Sequence, residues 1–307
     1  MSISNVNPLA QSFLNGVNQV EQQITTATQQ VTSGLKISAP SDDPGQLDDL
    51  LQLRTDEQMN TQIGTNLTVA TSVASAADSA LSGSIQVLNS AIQLGTEAAS
   101  STTGANTNAS LAVEVQGLLA QMVNYSQTQV QGQYIFSGDQ PDSPSYKLDT
   151  AAPKGVDQLL TVSATQQIQD PAGGSFATSK TAQAIFDDQN TDGTPATDNV
   201  FAALNNLNLA LQNNSATGVQ GALANLQAAS THLNQMQSSY GVVEDRLQSA
   251  TTYSSSRDTQ LQTQIGSIQD ADVTSDAIIL AQSNTQLQAA FSAESDLPKS
   301  SLFNYLH

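Results

Sequence analysis

The chain has 307 residues and a mass of 32.0 kDa, enough for one large or two to three small compact units. Only 11% of residues are charged, and 8 Lys and Arg face 27 Asp and Glu, giving a formal charge of −19 and a pI near 4.1. Such a balance excludes broad electrostatic binding to nucleic acid or an anionic membrane, zero cysteines exclude disulfides and thiolate sites, and 4% aromatics without Trp argue against a stacking platform.

The opening MSISNVNPLAQSF has neither a basic stretch nor a continuous apolar stretch, so no cleaved secretory signal is expected. It instead begins a stripe: Ile3, Val6, Leu9, Phe13, Val17, Val20, Ile24, Ala27, Val31 and Leu35 recur at steps of three and four. This spacing predicts a helix with a narrow seam close to the repeat of a coiled coil. Gly34 and Pro40 close it, and Ser41-Asp42-Asp43-Pro44 reads as a turn capping the next helix. A second stripe runs from Met59 through Leu67, Leu81 and Leu88 to Ile92, followed by a polar connector over 100–110. A third helix is predicted from Leu111 to about Gln131.

From Gly132 the pattern changes. Tyr134-Ile135-Phe136 is β-prone, and prolines and turn residues break the chain into short apolar pieces, so 133–195 reads as a small β-rich insertion. Helical spacing returns at Val200, Leu204, Leu207 and Leu211, then in a long stripe from Val219 to Ile268. A last stripe follows at Val273, Ala277, Leu280, Asn284, Leu287 and Phe291, with a polar Asn in its seam. The predicted fold is mainly α: long antiparallel helices with both termini at one end, terminal coiled-coil segments, and a small β-rich inserted domain. The expected division is 1–40 with 270–307 as terminal segments, 41–132 with 196–269 as a helical rod, and 133–195 as the insertion. No stretch approaches the roughly 18–20 apolar residues of a membrane span.

Asp42 and Asp43 have no His or third ligand beside them and read as a helix cap rather than a metal or acid–base pair. Asp188, Asn190, Asp192 and Gly193 match the first half of a calcium loop, but Asn199 stands where a bidentate acid is needed and Pro195 falls inside it. A polar turn is the first reading there, and a calcium loop the alternative. His232 and His307, far apart, suggest neither a catalytic triad nor a histidine metal site, and His232 is expected to face solvent or line a groove. The reading therefore assigns no catalytic, cofactor-binding or metal residues, no cofactor and no enzyme activity.

Four collinear places carry a family resemblance. Ser33-Gly34-Leu35-Lys36-Ile37 with Ala39 to Pro44 resembles the SG-x-x-I-x-x-x-x-DDP stretch of bacterial flagellins and their junction-protein relatives. Gly132-Gln133-Tyr134-Ile135-Phe136-Ser137-Gly138 is similar to a signature of the hook–filament junction branch. Asn199 to Leu204 resembles the start of that branch's returning helix, and Asp270 to Val273 with Ser301 to Leu306 resembles its carboxyl segment. Pro298 and Leu35 depart from the pattern.

The resemblance implies a structural subunit of the bacterial flagellum that joins hook to filament, exported through the flagellar type III apparatus. The alternative is flagellin, the main filament subunit, and the more distant one is a coiled-coil secretion translocator or adhesin. The implied partners are further copies of the chain in a tubular assembly, other hook-associated proteins, flagellin and an export chaperone, with no nucleic acid and no membrane insertion. An extracellular place on the flagellum follows from the same resemblance. The expected assembly residues are Val6, Phe13, Val17, Val20, Ile24, Val31, Leu280, Leu287, Phe291, Leu302 and Leu306.

Overall fold

Where apolar residues recur at three and four, the chain is helical. The computed structural model describes residues 8–100, 104–162 and 164–296. In chain order the described elements are α1 (Pro8–Ser33), α2 (Leu47–Ala99), α3 (Ala105–Ser126), β1 (Gln129–Val130), β2 (Gln133–Tyr134), β3 (Tyr146–Leu148), β4 (Val156–Gln158), β5 (Gln167–Gln169), β6 (Ser175–Ala177), α4 (Ala182–Phe186), α5 (Val200–Gln212), α6 (Ala216–Gln269) and α7 (Val273–Asp296). The fold is thus mainly helical with a small β-rich inserted region. Two compact units are present, 1–59 with 258–307 and 60–257, divided within α2 and within α6. The chain ends lie outside the described residues.

Within 60–257, the helices come together over small side chains. Ala74, Ala77, Ala80 and Ala91 of α2 are buried, and a Cβ on Gly83 would sit 2.5 Å from the Tyr125 ring of α3. A Cβ on Gly95 would likewise meet Leu223 of α6 at 2.8 Å. Polar ties supplement this packing: Asn60 Nδ2 donates to the Ser254 carbonyl at 3.0 Å, and Ser254 Oγ to Asn60 Oδ1 at 3.2 Å. Between α2 and α6, Ser75 Oγ donates to Glu244 at 3.1 Å.

The larger side chains collect around α5, which is buried on nearly every side, as a helix apolar around most of its circumference must be. Phe186 stacks on Phe201 with centroids 5.8 Å apart, Phe136 meets Phe186 edge-on at 5.7 Å, and Tyr146 lies 5.2 Å from Phe201. Residues of the inserted region and of the helices therefore share one apolar core with Leu119 and Met122 of α3. Three separate antiparallel hairpins, β1–β2, β3–β4 and β5–β6, make up the strand content.

Asp187 lies fully buried beside this cluster and is saturated with donors. Its oxygens accept from Tyr146 Oη at 3.0 Å, Asn199 Nδ2 at 2.7 Å, Gln189 Nε2 at 3.0 Å and the Lys154 ammonium. A buried carboxylate is tolerable only when paired and hydrogen-bonded in this way. Burial, and then the Asp187 charge, push the Tyr146 phenol far above its usual range. Asn199 also caps α5, its Oδ1 accepting from the Ala202 N–H at 2.9 Å.

Two boundaries differ from expectation. The predicted connector over 100–110 is shorter, since α3 starts at Ala105 behind Gly104; Ala105 to Ser110 is a largely solvent-facing turn whose polar residues carry no apolar period. At its other end α3 stops at Ser126, not Gln131. Gln131 and Gly132 take φ of 53° and 82°, the left-handed pair that a two-residue hairpin turn requires, and the strand before it displaces the helix.

Tyr240 of α6 is buried, and its hydroxyl accepts the Lys180 N–H at 3.0 Å. Burial pushes this phenol up from 10.0 to about 12. The folded state therefore holds the neutral phenol, contributing stability that is complete below pH 10.0 and lost as the pH rises through about 12. Tyr240→Phe is expected to cost about 1 kcal/mol at neutral pH, through the orphaned Lys180 N–H. It should also shrink the loss of stability between those two pH values, as followed by urea unfolding. An unchanged alkaline profile would refute this account.

Candidate assembly site

The unit formed by 1–59 and 258–307 is built on two helices, α1 and α7, that pack together. Gly34 ends α1 with φ of 71°, its N–H donating to the Gln30 carbonyl at 2.8 Å. Asp272 begins α7 as an N-cap, Oδ1 accepting from Thr274 and Ser275 N–H groups at 3.1 Å each. The Ala271 N–H donates to the Gly34 carbonyl at 3.0 Å, so the end of α1 meets the start of α7 and the pair runs antiparallel.

Gln269 organises this turn. Its carbonyl accepts from Lys36 N at 2.7 Å and Ile37 N at 3.3 Å, and its Nε2 donates to the Ile37 carbonyl at 3.2 Å. Its Oε1 accepts from Arg54 of α2 at 2.7 Å. The acidic pair nearby does not cap α2, contrary to the expectation from Ser41 to Pro44. Asp42 Oδ2 instead reaches back to Ser38 N at 2.9 Å, Ser38 Oγ at 3.0 Å and Ala39 N at 2.7 Å. Acidic residues in the first turn of α2 are Asp48 and Asp49. The bonds from Ala39 and then Ser38 hold the Asp42 carboxyl below the usual carboxylate range. Lys36 and Asp43 stand 3.8 Å apart on the surface, a pair worth little in water.

Of the expected assembly residues, Phe13, Val17, Val20, Ile24 and Val31 are half-buried along α1 on the seam that holds the buried Ala27. Leu280 and Leu287 are half-buried on α7, while Phe291 is 53% exposed. Val6, Leu302 and Leu306 lie outside the described residues. The polar seam position of α7 is Ser283 rather than Asn284: Ser283 is buried, whereas Asn284 is exposed and bonds the Leu280 carbonyl of its own helix. Ser283 keeps the register of Asp276, Leu280, Leu287 and Ala290, each less exposed than its neighbours.

The sequence reading passed over a second set. Leu14 is 54% exposed and Ile278 58%, with Ile279 also open to solvent. A signal for them exists: Ile278, Ile279 and Leu280 are consecutive, and at about 100° per residue they fan over more than half the helix circumference. They cannot all face one partner helix, and on α1 Phe13 is half-buried where its neighbour Leu14 is exposed.

The loop over 188–193 is a polar turn. Asn190 Nδ2 donates to Thr194 Oγ1 at 3.0 Å, and Asp192 Oδ1 accepts from Thr194 N and Oγ1 at 3.0 and 2.6 Å. These Thr194 bonds lower the Asp192 carboxyl. The His232 side chain is 10% exposed, its ring set between the Ala184 carbonyl and the Asp198 carboxylate. A carboxylate oxygen from each of Asp188 and Asp198 and a ring nitrogen of His232 lie within 4.8 Å of one another. The distance of these residues along the chain hid that meeting from the sequence.

Changing Gln269 to Leu removes both side-chain bonds and leaves Arg54 without this acceptor. We expect a loss of about 1–2 kcal/mol and faster amide exchange at Lys36 and Ile37, with Tyr240 and its surroundings unaffected. Asp42→Asn should speed exchange at Ser38 and Ala39. Because the Asp42 carboxyl is lowered, its contribution is present above the ordinary value of 3.8 and fades as pH falls through the lowered one. Nuclear magnetic resonance of amide exchange from pH 6 downward reads both variants, and protection surviving in either would count against the clasp.

The model of the bacterial flagellin N-terminal helical region matches residues 4–140, and that of the C-terminal helical region matches 223–306. Flagellar hook-associated protein 3 of Escherichia coli strain K12 is 26% identical over 316 residues, covering 95% of this chain and 96% of that protein. The protein of the same name from Salmonella typhimurium is 23% identical, covering 94% and 95%. In structure, the chain resembles flagellar hook-associated protein 3 of Legionella pneumophila with a TM-score of 0.61 at 13% identity, over 71% of this chain and 98% of that one.

Proposed function

The chain belongs to the bacterial flagellin family, as a homologue of flagellar hook-associated protein 3, and from that membership we propose that it is a structural subunit of the flagellum joining hook to filament. The observation that carries the mechanism is the α1–α7 pair. It is a narrow antiparallel seam that leaves Leu14, Ile278, Ile279 and Phe291 exposed. Apolar side chains on the outer faces of a helix pair are what a tubular assembly of like subunits needs.

In this reading 1–40 and 270–307 are the assembly segments, 41–132 and 196–269 the rod, and 133–195 the outward-facing part. The partners are further copies of the chain, flagellin, other hook-associated proteins and an export chaperone. The place of action is outside the cell, on the flagellum. No described helix is long and apolar enough to cross a membrane. Both curated relatives named above bear the hook-associated description, which supports the junction over the main filament subunit.

Leu14→Asp and Ile278→Asp test the reading. Each carboxylate stays solvated in the monomer but would be buried unpaired between subunits, at a cost of about 3–5 kcal/mol. Cells carrying either variant in place of the native chain should shed their filaments into the medium, while circular dichroism of the purified variants stays native. Phe13→Asp, on the inner seam, should in contrast lower the helix content of the monomer. Normal filament retention with both outer variants would defeat the assigned face.

A further inference from the structure

We propose that Asp188, Asp198 and His232 form a binding site for a divalent transition cation, with Zn2+ as the best match. The argument begins with the ring of His232. Its Nε2 lies 3.1 Å from the Ala184 carbonyl, which can only accept, so that nitrogen carries the hydrogen. Nδ1 is turned toward the Asp198 carboxylate, whose Oδ2 is 3.5 Å away, and in the neutral ring it offers that carboxylate only a lone pair. The neutral ring and the carboxylate then face each other as two acceptors, and an Asp188 carboxylate oxygen lies within 4.8 Å of a His232 ring nitrogen and an Asp198 oxygen. A cation between them resolves the conflict.

The ring is fixed for that purpose. Only 10% of the His232 side chain is exposed, and an imidazole held through one N–H by a backbone carbonyl, with the other nitrogen free to coordinate, is the usual support of a metal-bound histidine. The carboxylates are fixed as well. Asp188 is held through its own carbonyl, which accepts from Ala196 N at 3.0 Å and Asn199 Nδ2 at 2.8 Å. Asp198 directly precedes Asn199, the cap of α5. Three places in the chain are thereby joined by one ion: the residue after buried Asp187, the lead-in to α5, and the first third of α6.

Ligand chemistry selects the metal. One imidazole nitrogen and two carboxylates suit Zn2+, with water completing a tetrahedron, whereas Ca2+ takes oxygen ligands in greater number. Of the polar turn over 188–193 only Asp188 enters the site, since Asn190 and Asp192 are engaged with Thr194.

The experiment is isothermal titration calorimetry of the full chain, without a polyhistidine tag and after chelator treatment, with ZnCl2 and separately with CaCl2. The expected result is one saturable Zn2+ equivalent and no matching Ca2+ equivalent. Asp198→Asn and His232→Asn should each weaken Zn2+ binding about tenfold or more, while His307→Asn leaves it unchanged. Asp198→Asn keeps the shape of the side chain, so circular dichroism should show it folded even if the His232 variant is not. Co2+ should give a visible absorption band that Asp198→Asn removes. The proposal is overturned by absence of a Zn2+ equivalent. It is equally overturned by Zn2+ binding that Asp198→Asn does not alter, or by Ca2+ binding as tightly as Zn2+.

Discussion

A helix seam of two residues per heptad covers little of a helix, and this chain has few large apolar side chains with which to widen one. Its two units meet that constraint differently. Residues 60–257 shorten the distance between helices by placing alanine and glycine at the contacts, then gather the scarce aromatic rings around α5. Close approach increases dispersion per unit of surface, so a lean composition still forms a closely packed core. The pair of α1 and α7 has no such aromatic centre among its described residues. Its seam is filled by half-buried side chains with Ala27 and Ser283 at the tightest points, and its outer apolar residues remain for another surface to cover.

Polar residues do in this chain what charge does in many others. Gln269 and Asn199 each use both ends of an amide, and the one fully buried carboxylate described, Asp187, is met by a hydroxyl, two amides and an ammonium. Neutral amides can be buried with less desolvation than charges, provided every donor and acceptor finds a partner. The composition that looked merely polar is in part a network of such fixed positions.

The helices were legible because apolar spacing is a property of the chain itself. What the sequence hid depended on partners distant along it. Asp42 stands where a rule for acids near helix starts suggests a cap, yet its donors are the N–H groups behind it, at Ser38 and Ala39. The choice of Ser283 over Asn284 turns on one residue of register, which a stripe tolerating steps of both three and four does not determine. The β1–β2 turn was foreshadowed by Gly132, but Gln131 takes a left-handed conformation that its side chain does not advertise. Of the candidate assembly face, the inner seam could be read from periodicity. The outer residues Leu14 and Ile278 needed a view of which side α1 and α7 give to each other.

Gln269 has a further consequence, in the order of folding events. The groups it ties down, at Ile37 and Arg54, lie 232 and 215 residues before it in the chain. The loop that closes α1 therefore cannot reach its final hydrogen bonding until nearly nine tenths of the polypeptide is available. Contacts of such separation require most of the chain's entropy to be surrendered before they form, which places them late and makes them slow. A chain delivered through a narrow channel one end at a time would keep this turn open throughout its passage, and complete it only on arrival.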